Sequence, residues 1–325
     1  MTNNHGQPSA LALPILLTLL AAAGSAASGC RPSEARGDDR PRVVATTTML
    51  GDLVETIAGD DFETHTIMRA GADPHLYRPT PSDARRVASA DAVVINGLHL
   101  EGWADELIEN AGGDTRTIVA SDGVDVIRMP EFAGGVDPHF WFDVGAWKRA
   151  VDHVAEALSD LADDPAVRGR VTSRAADYKA RLDALDAWVR AALETIPQNH
   201  RILVTSHDAF HYFSRAYALP VAAVQGISTE SEASQRDVLN IVRRVKDTGA
   251  PAVFAETSVN PDLIERVARE AGVTVAGPLY SDSLGPEGGP ADNYEGMLRE
   301  NVRMIVTALG GTVPLSVAVQ SRTQE

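Results

Sequence analysis

The stretch from Pro165 to Ile196, PAVRGRVTSRAADYKARLDALDAWVRAALETI, has no proline after its first residue and no glycine after Gly169. Val171, Ala175, Tyr178, Leu182, Leu185, Val189, Leu193 and Ile196 recur at steps of three or four, which lays apolar side chains along one stripe of an α-helix. The spacing predicts a single amphipathic helix of about 30 residues, roughly 45 Å long at 1.5 Å per residue. One helix of that length between two lobes acts as a strut, whereas two or three loop crossings would act as a hinge.

On both sides of this helix, short β patterns alternate with helical ones. Before it, VVATTTM from Val43 reads as a strand, LGDLVETIAG as a helix, ETHTIMR as a strand, PSDARRVASA as a helix and DAVVING as a strand. After it come RILVTS, DAFHYFSRAYAL, VAAVQG, SQRDVLNIVRRVKDTG, AVFAET, PDLIERVAREAG and TVAGPL in the same alternation. Such alternation predicts parallel βα units. The expected fold class is α/β: two βα lobes with parallel sheets, joined by one long rigid helix. The boundaries are residues 43–164 for the N-terminal lobe, 165–196 for the linking helix, 197–311 for the C-terminal lobe and 312–325 for a frayed tail. A chain of 325 residues is long enough for each lobe to bury its own core.

The N-terminus, ALALPILLTLLAAAGSAASGC, carries an apolar run of about 14 residues, short for a bilayer span and the right length for a signal-peptide core. Residues 1–29 are therefore expected to be a signal peptide. Ala27-Ser28-Gly29-Cys30 resembles a bacterial lipobox, with Ala27 where leucine is usual and no Lys or Arg in the first twelve residues. Cys30 is the only cysteine, so it forms no internal disulfide and is expected to carry lipid. With RPSEARGDDRPR behind it, residues 30–42 make a tether without side chains to pack. The expected location is the periplasm or the outer face of the cell membrane, held by the lipid anchor. A net charge of −16, from 45 acidic against 29 basic residues, argues against nucleic acid as a partner and suits a cation.

Asp-Pro-His occurs twice, at Asp73–His75 and at Asp137–His139. Proline fixes its own φ and pushes the residue before it toward extended geometry, so each histidine leaves the chain from a stiff platform. Asp-Pro is also an ordinary turn starter. Open α/β sheets collect ligands beyond the carboxyl ends of their strands, where His207 follows RILVTS and Asp282 follows VAGPLY. Glu256, after AVFAE, competes with them, and Glu230 is a further carboxylate. His75, His139, His207 and Asp282 place two candidates in each lobe, so a shared site would lie in the cleft. Three imidazoles and one carboxylate suit Zn²⁺, with Mn²⁺ lower in intrinsic affinity. Taken singly, His207 could be a helix-start residue beside Asp208, and Asp282 a loop carboxylate. His211 sits four residues after His207 but would point along its helix. With His65, His153 and His200 it reads as solvated or packing, while His99 follows a strand end near the cleft.

GADPHLYRPTPSD, INGLHLEGW, DPHFWFD, SHDAFHYFSRAYAL, QGISTESEAS and LYSDSLGPEGGPADNYEGM occur in that order. In them the chain resembles the cluster A-I, or family 9, solute-binding lipoproteins of bacterial zinc and manganese ABC importers. The resemblance implies two lobes on a rigid helix, a cation held between them, and delivery to a membrane permease by a monomer that is not an enzyme. It carries ligand roles onto His75, His139, His207 and Asp282. Members dedicated to manganese commonly have glutamate where His207 stands, which favours zinc, imidazole being the softer donor. Many zinc-type members carry a histidine-rich insertion where this chain has VIRMPEFAGGV. Two other classes share some of these features: a secreted zinc hydrolase, which would use three histidines and a bound water, and an adhesin-type surface lipoprotein.

Overall fold

Val43, Val44 and Ala45 are buried and form β1 (Arg42–Ala45). The strand ends there, four residues before the end of the VVATTTM pattern, because Thr47 takes an extended conformation and its hydroxyl accepts the Leu50 N–H as the cap of α1 (Thr48–Ala58). A capping threonine satisfies one of the unpaired N–H groups of a first helical turn. The computed structural model describes residues 40–112, 115–129, 135–231 and 233–314. The expected signal peptide, Cys30 and the tail from residue 315 lie outside the described residues.

The N-terminal lobe continues with β2 (Glu63–Thr66), α2 (Pro81–Ala88), β3 (Ala92–Ile95), α3 (Ala104–Ala111), β4 (Arg116–Val119) and α4 (Val144–Leu161). After α5 (Pro165–Glu194), the second lobe runs β5 (Leu203–Thr205), α6 (His211–Tyr217), β6 (Val221–Ala223), α7 (Gln235–Thr248), β7 (Ala252–Glu256), α8 (Asp262–Ala271), β8 (Thr274–Leu279) and α9 (Tyr294–Ala308). The strand orders are β2-β1-β3-β4 and β6-β5-β7-β8, and every paired strand is parallel. Both sheets therefore reverse their order beside their first strand, the place where open sheets leave a crevice at the carboxyl ends.

Helix α5 starts with Pro165 in its first turn and the Asp164 carboxylate on the Ala166 N–H, and it runs unbroken for 30 residues. It ends at Glu194, two residues short of the predicted boundary, although Ile196 is buried too. All the apolar residues of its stripe are buried, against α1, α4 and α9.

The lobes also share a core. Phe142 stacks on Phe210 at 4.3 Å between ring centroids, and Trp147 stacks on Tyr294 at 4.7 Å. The Tyr294 hydroxyl donates to the Trp141 carbonyl at 2.7 Å, and the Trp141 indole N–H to the Ser281 carbonyl at 2.9 Å. Each such ring removes about 150–250 Å² from water, so parting the lobes along these contacts would cost several kcal/mol per ring.

Candidate metal centre

The repeated tripeptide folds the same way twice. Asp73 Oδ1 accepts the His75 N–H at 2.8 Å, and Asp137 Oδ1 accepts the His139 N–H at 2.9 Å. The platform is thus an Asx turn with proline locked inside it. In the second copy Asp137 Oδ1 also pairs with His139 Nδ1 at 2.8 Å. Burial works against the Asp137 charge, but the hydrogen bonds from His139 and the nearby His211 imidazole outweigh it and hold the carboxyl at about 2. In the first copy the other oxygen, Asp73 Oδ2, takes the Thr229 hydroxyl from the opposite lobe at 2.6 Å.

The segment after β3 brackets both turns. Asn96 Nδ2 donates to the Pro138 carbonyl at 3.1 Å, and Trp103 Nε1 to the Pro74 carbonyl at 2.9 Å. Glu101, buried at 6 % exposure, accepts the Asn96 N–H at 2.8 Å and the Thr46 hydroxyl at 2.5 Å. Gly97 has φ +80°, and a Cβ there would stand 2.5 Å from Val119 Cγ1. Leu98 and His99 follow at φ +56° and +63°, a region that costs roughly 1 kcal/mol for each L-residue with a side chain. The bonds through Asn96 and Glu101 hold this strained loop in place.

In the second lobe His207 lies in the turn after β5, four residues before α6 begins at His211, so it is not a helix-start residue. Glu256, at the end of β7, accepts the His207 N–H at 2.9 Å and pairs with His207 Nδ1 at 2.5 Å. Asp282 follows β8, and its Oδ2 accepts the Ser258 hydroxyl at 3.0 Å.

These turns bring His75, His139, His207 and Asp282 together, with one ligating atom of each within 4.8 Å of the other three. Their exposures are 8, 0, 0 and 1 %. The Nε2 atoms of the three histidines and Asp282 Oδ1 are buried without a hydrogen-bond partner, a condition costing roughly 1–3 kcal/mol per group when nothing occupies the space between them. Asp137 and Glu256 take the Nδ1 protons of His139 and His207, so each Nε2 lone pair is left for a cation. His139 Nε2 lies 3.6 Å from Asp282 Oδ1, and His207 Nε2 lies 3.4 Å from Asp282 Oδ2. Tetrahedral donors about 2.1 Å from an ion stand about 3.4 Å apart, so each of these nitrogen–oxygen spacings is that of neighbouring donors around a small divalent cation.

The electrostatics suit the same guest. Burial pushes the His75 imidazole down to about 3, so it stays neutral. Burial opposes charge on His207 as well, but the Asp282 and Glu256 carboxylates beside it prevail and hold its imidazole well above the ordinary value. Asp282 is held far below the carboxylate range, against its own burial, mainly by His207. In the metal-free cluster these neighbouring carboxylates favour a proton on His207. A divalent ion would replace it.

The remaining candidates stand outside the cluster. Glu256 supports His207 instead of contributing a donor, and Glu230 is exposed. His211 is more than a solvated or packing residue: its Nδ1 lies 3.5 Å from both Asp137 Oδ2 and Asp208 Oδ1, behind the Asp137–His139 pair. His99 is exposed and shares with His75, Pro138 and Ser228 the lining of a cavity of about 130 Å³ at the mouth of the site. His65 and His153 are half-buried on β2 and α4, and His200 Nδ1 contacts the Leu309 carbonyl at 3.1 Å. Sequence reasoning missed the supporting role of Glu256 and the hydroxyl of Ser258. The position of Glu256 at a strand end was a signal, but its partner was not legible.

The family described as zinc-uptake complex component A, periplasmic (ZnuA), matches residues 43–308. The zinc-binding protein TroA of Treponema pallidum is 38% identical over 282 residues, which cover 85% of this chain and 91% of the relative. The manganese-binding lipoprotein MntA of Bacillus subtilis is 36% identical over 293 residues, covering 87% and 95%. The solved structure of the periplasmic zinc-binding protein TroA superposes with a TM-score of 0.79 at 36% identity, covering 83% of this chain and 99% of that one. With a family match over most of its length and relatives this similar over nearly all of theirs, the chain belongs to the family of the periplasmic zinc-uptake component A.

Proposed function

We propose that this protein captures a divalent transition metal outside the cytoplasm, zinc in preference to manganese, and delivers it to the permease of an ABC importer. His75, His139, His207 and Asp282 are the metal ligands of this reading. The observation that carries it is the set of three imidazole nitrogens and one carboxylate oxygen, buried, unpartnered and converging on one point. Three nitrogen donors favour zinc over the harder manganese ion, and the relatives named for zinc and for manganese frame that choice. Family membership gives no support to a secreted hydrolase or to an adhesin-type lipoprotein.

The protein works as a monomer, held at the periplasmic or outer face of the membrane by lipid on Cys30. Residues 43–164 and 197–311 form the two lobes and 165–196 the strut between them. Metal-stripped protein should bind one zinc ion per chain in a competition titration. Alanine at any of the four ligands should weaken binding roughly tenfold or more, and His211→Ala should weaken it less. If His211→Ala abolishes binding while His207→Ala leaves it intact, the ligand assignment is wrong. Cys30→Ser should release the protein from the membrane fraction with its metal affinity unchanged. Retention in washed membranes would overturn the lipid anchor.

A further inference from the structure

Strand β7 ends at Glu256, which holds His207, and two residues later Ser258 reaches the fourth donor, Asp282. The Ser258 hydroxyl donates to Asp282 Oδ2 at 3.0 Å. The Ser281 hydroxyl stands 3.1 Å from that of Ser258 and 3.5 Å from the same carboxylate oxygen. With the Ser258 proton committed to Oδ2, Ser281 donates to Ser258, and a chain of two hydroxyls ends on one side of the carboxylate. Both oxygens face the cluster, Oδ1 at 3.6 Å from His139 Nε2 and Oδ2 at 3.4 Å from His207 Nε2, but Oδ1 is buried without any hydrogen-bond partner. The carboxylate is therefore lopsided: Oδ1 has its lone pairs free, while Oδ2 gives part of its electron density to a donor.

Building on the metal-binding function proposed above, we propose that Ser258 is a specificity-determining residue, which by engaging Asp282 Oδ2 leaves Oδ1 as the one strong oxygen donor and so disfavours cations that need both. Zinc is satisfied by four nitrogen and oxygen donors, whereas manganese prefers more oxygen and a higher coordination number. Other carboxylates near the cluster are turned elsewhere: both oxygens of Glu256 face His207, Asp137 Oδ1 faces His139 Nδ1, and Asp137 Oδ2 lies on the far side of that pair, 3.5 Å from His211 Nδ1. Asp282 Oδ2 is thus the oxygen through which the site could adapt to manganese, and Ser258 restrains it.

The test is the ratio of manganese to zinc dissociation constants, from competition titrations of the metal-stripped protein and its Ser258→Ala and Ser258→Thr variants. Ser258→Ala should lower the ratio about fivefold, the weight of one hydrogen bond, and Ser258→Thr, which keeps a hydroxyl, should preserve it. An unchanged ratio in Ser258→Ala, or an equal fall in Ser258→Thr, overturns the proposal. X-ray absorption at the zinc edge of the unmodified protein gives a second reading that no folding defect can obscure. One short oxygen distance is expected, and two equal ones would overturn the assignment. Binding of neither metal would sink the proposed function itself, whereas binding of both with an unchanged ratio would remove only the role of Ser258.

Discussion

Glu256→Gln tests the link between a supporting carboxylate and the metal. Glutamine keeps an acceptor oxygen for the His207 N–H, now 2.9 Å from Oε1. It presents an NH₂ group to His207 Nδ1, where the glutamate oxygen stands at 2.5 Å. Two donors then face each other, so the imidazole must give up its Nδ1 proton and hold the remaining one on Nε2, the nitrogen that faces the cluster. There Asp282 Oδ2, at 3.4 Å, can accept it. A cation would have to reverse that tautomer and tolerate the mismatch behind it. Loss of such a supporting carboxylate typically costs about ten- to hundredfold in metal affinity, or roughly 1.4–2.8 kcal/mol. We expect that loss for zinc in a chelator competition titration, with the metal-free circular dichroism spectrum retained. His207→Ala sets the ceiling, since support cannot matter more than the ligand it supports. Zinc affinity within about twofold of the unmodified protein would refute the reasoning.

His207 is held above its ordinary value in the metal-free protein, so zinc should displace about one proton at pH 7 and its affinity should rise about tenfold per pH unit until His207 deprotonates unaided. Calorimetry in buffers of different ionisation enthalpy reads that proton, and no release would contradict the assignment. For stability without metal the two histidines act in opposite senses. His75, lowered to about 3 from 6.5, should cost roughly 1.4 kcal/mol of stability per unit as pH falls between those values. The His207 contribution is full below its unfolded value and fades as pH rises through its folded one, and urea titrations of His75→Ala and His207→Ala against pH separate the two. Leu182→Ala, at a fully buried position on α5, should lower stability by about 2–5 kcal/mol in urea, and a loss under about 1 kcal/mol would mean that the strut is not packed as described. Removing metal from protein lacking residues 1–42 should leave the radius of gyration nearly unchanged in solution scattering, because α5 and the shared aromatic core resist a wide swing; a change of several Å (about 3 Å or more) would refute that.

The sequence alone determined the elements whose cause is local. The apolar stripe of α5 follows from steps of three and four residues, and its predicted positions are the buried ones. Parallel sheets follow from alternating β and helical patterns, although β1 ends at Ala45 because Thr47 caps the next helix. The alternating patterns stop at DAVVING in the first lobe and at TVAGPL in the second, so α3, β4 and α9 have no counterpart in them. Asp-Pro-His marked two stiff turns because both the proline and the aspartate act within three residues.

Only the tertiary structure decided how these pieces serve one another. His207 and Glu256 are 49 residues apart, and Asn96 reaches Pro138 across 42. The shift on His207 depends on two carboxylates, Asp282 and Glu256, brought to it by separate strands. Burial, hydrogen bonds between distant residues and the field of neighbouring charges are properties of positions in space, and no local pattern encodes them. His211 carries that distinction in one residue: the sequence places it at a helix spacing from His207, while the fold sets it against Asp137, behind the pair that orients His139.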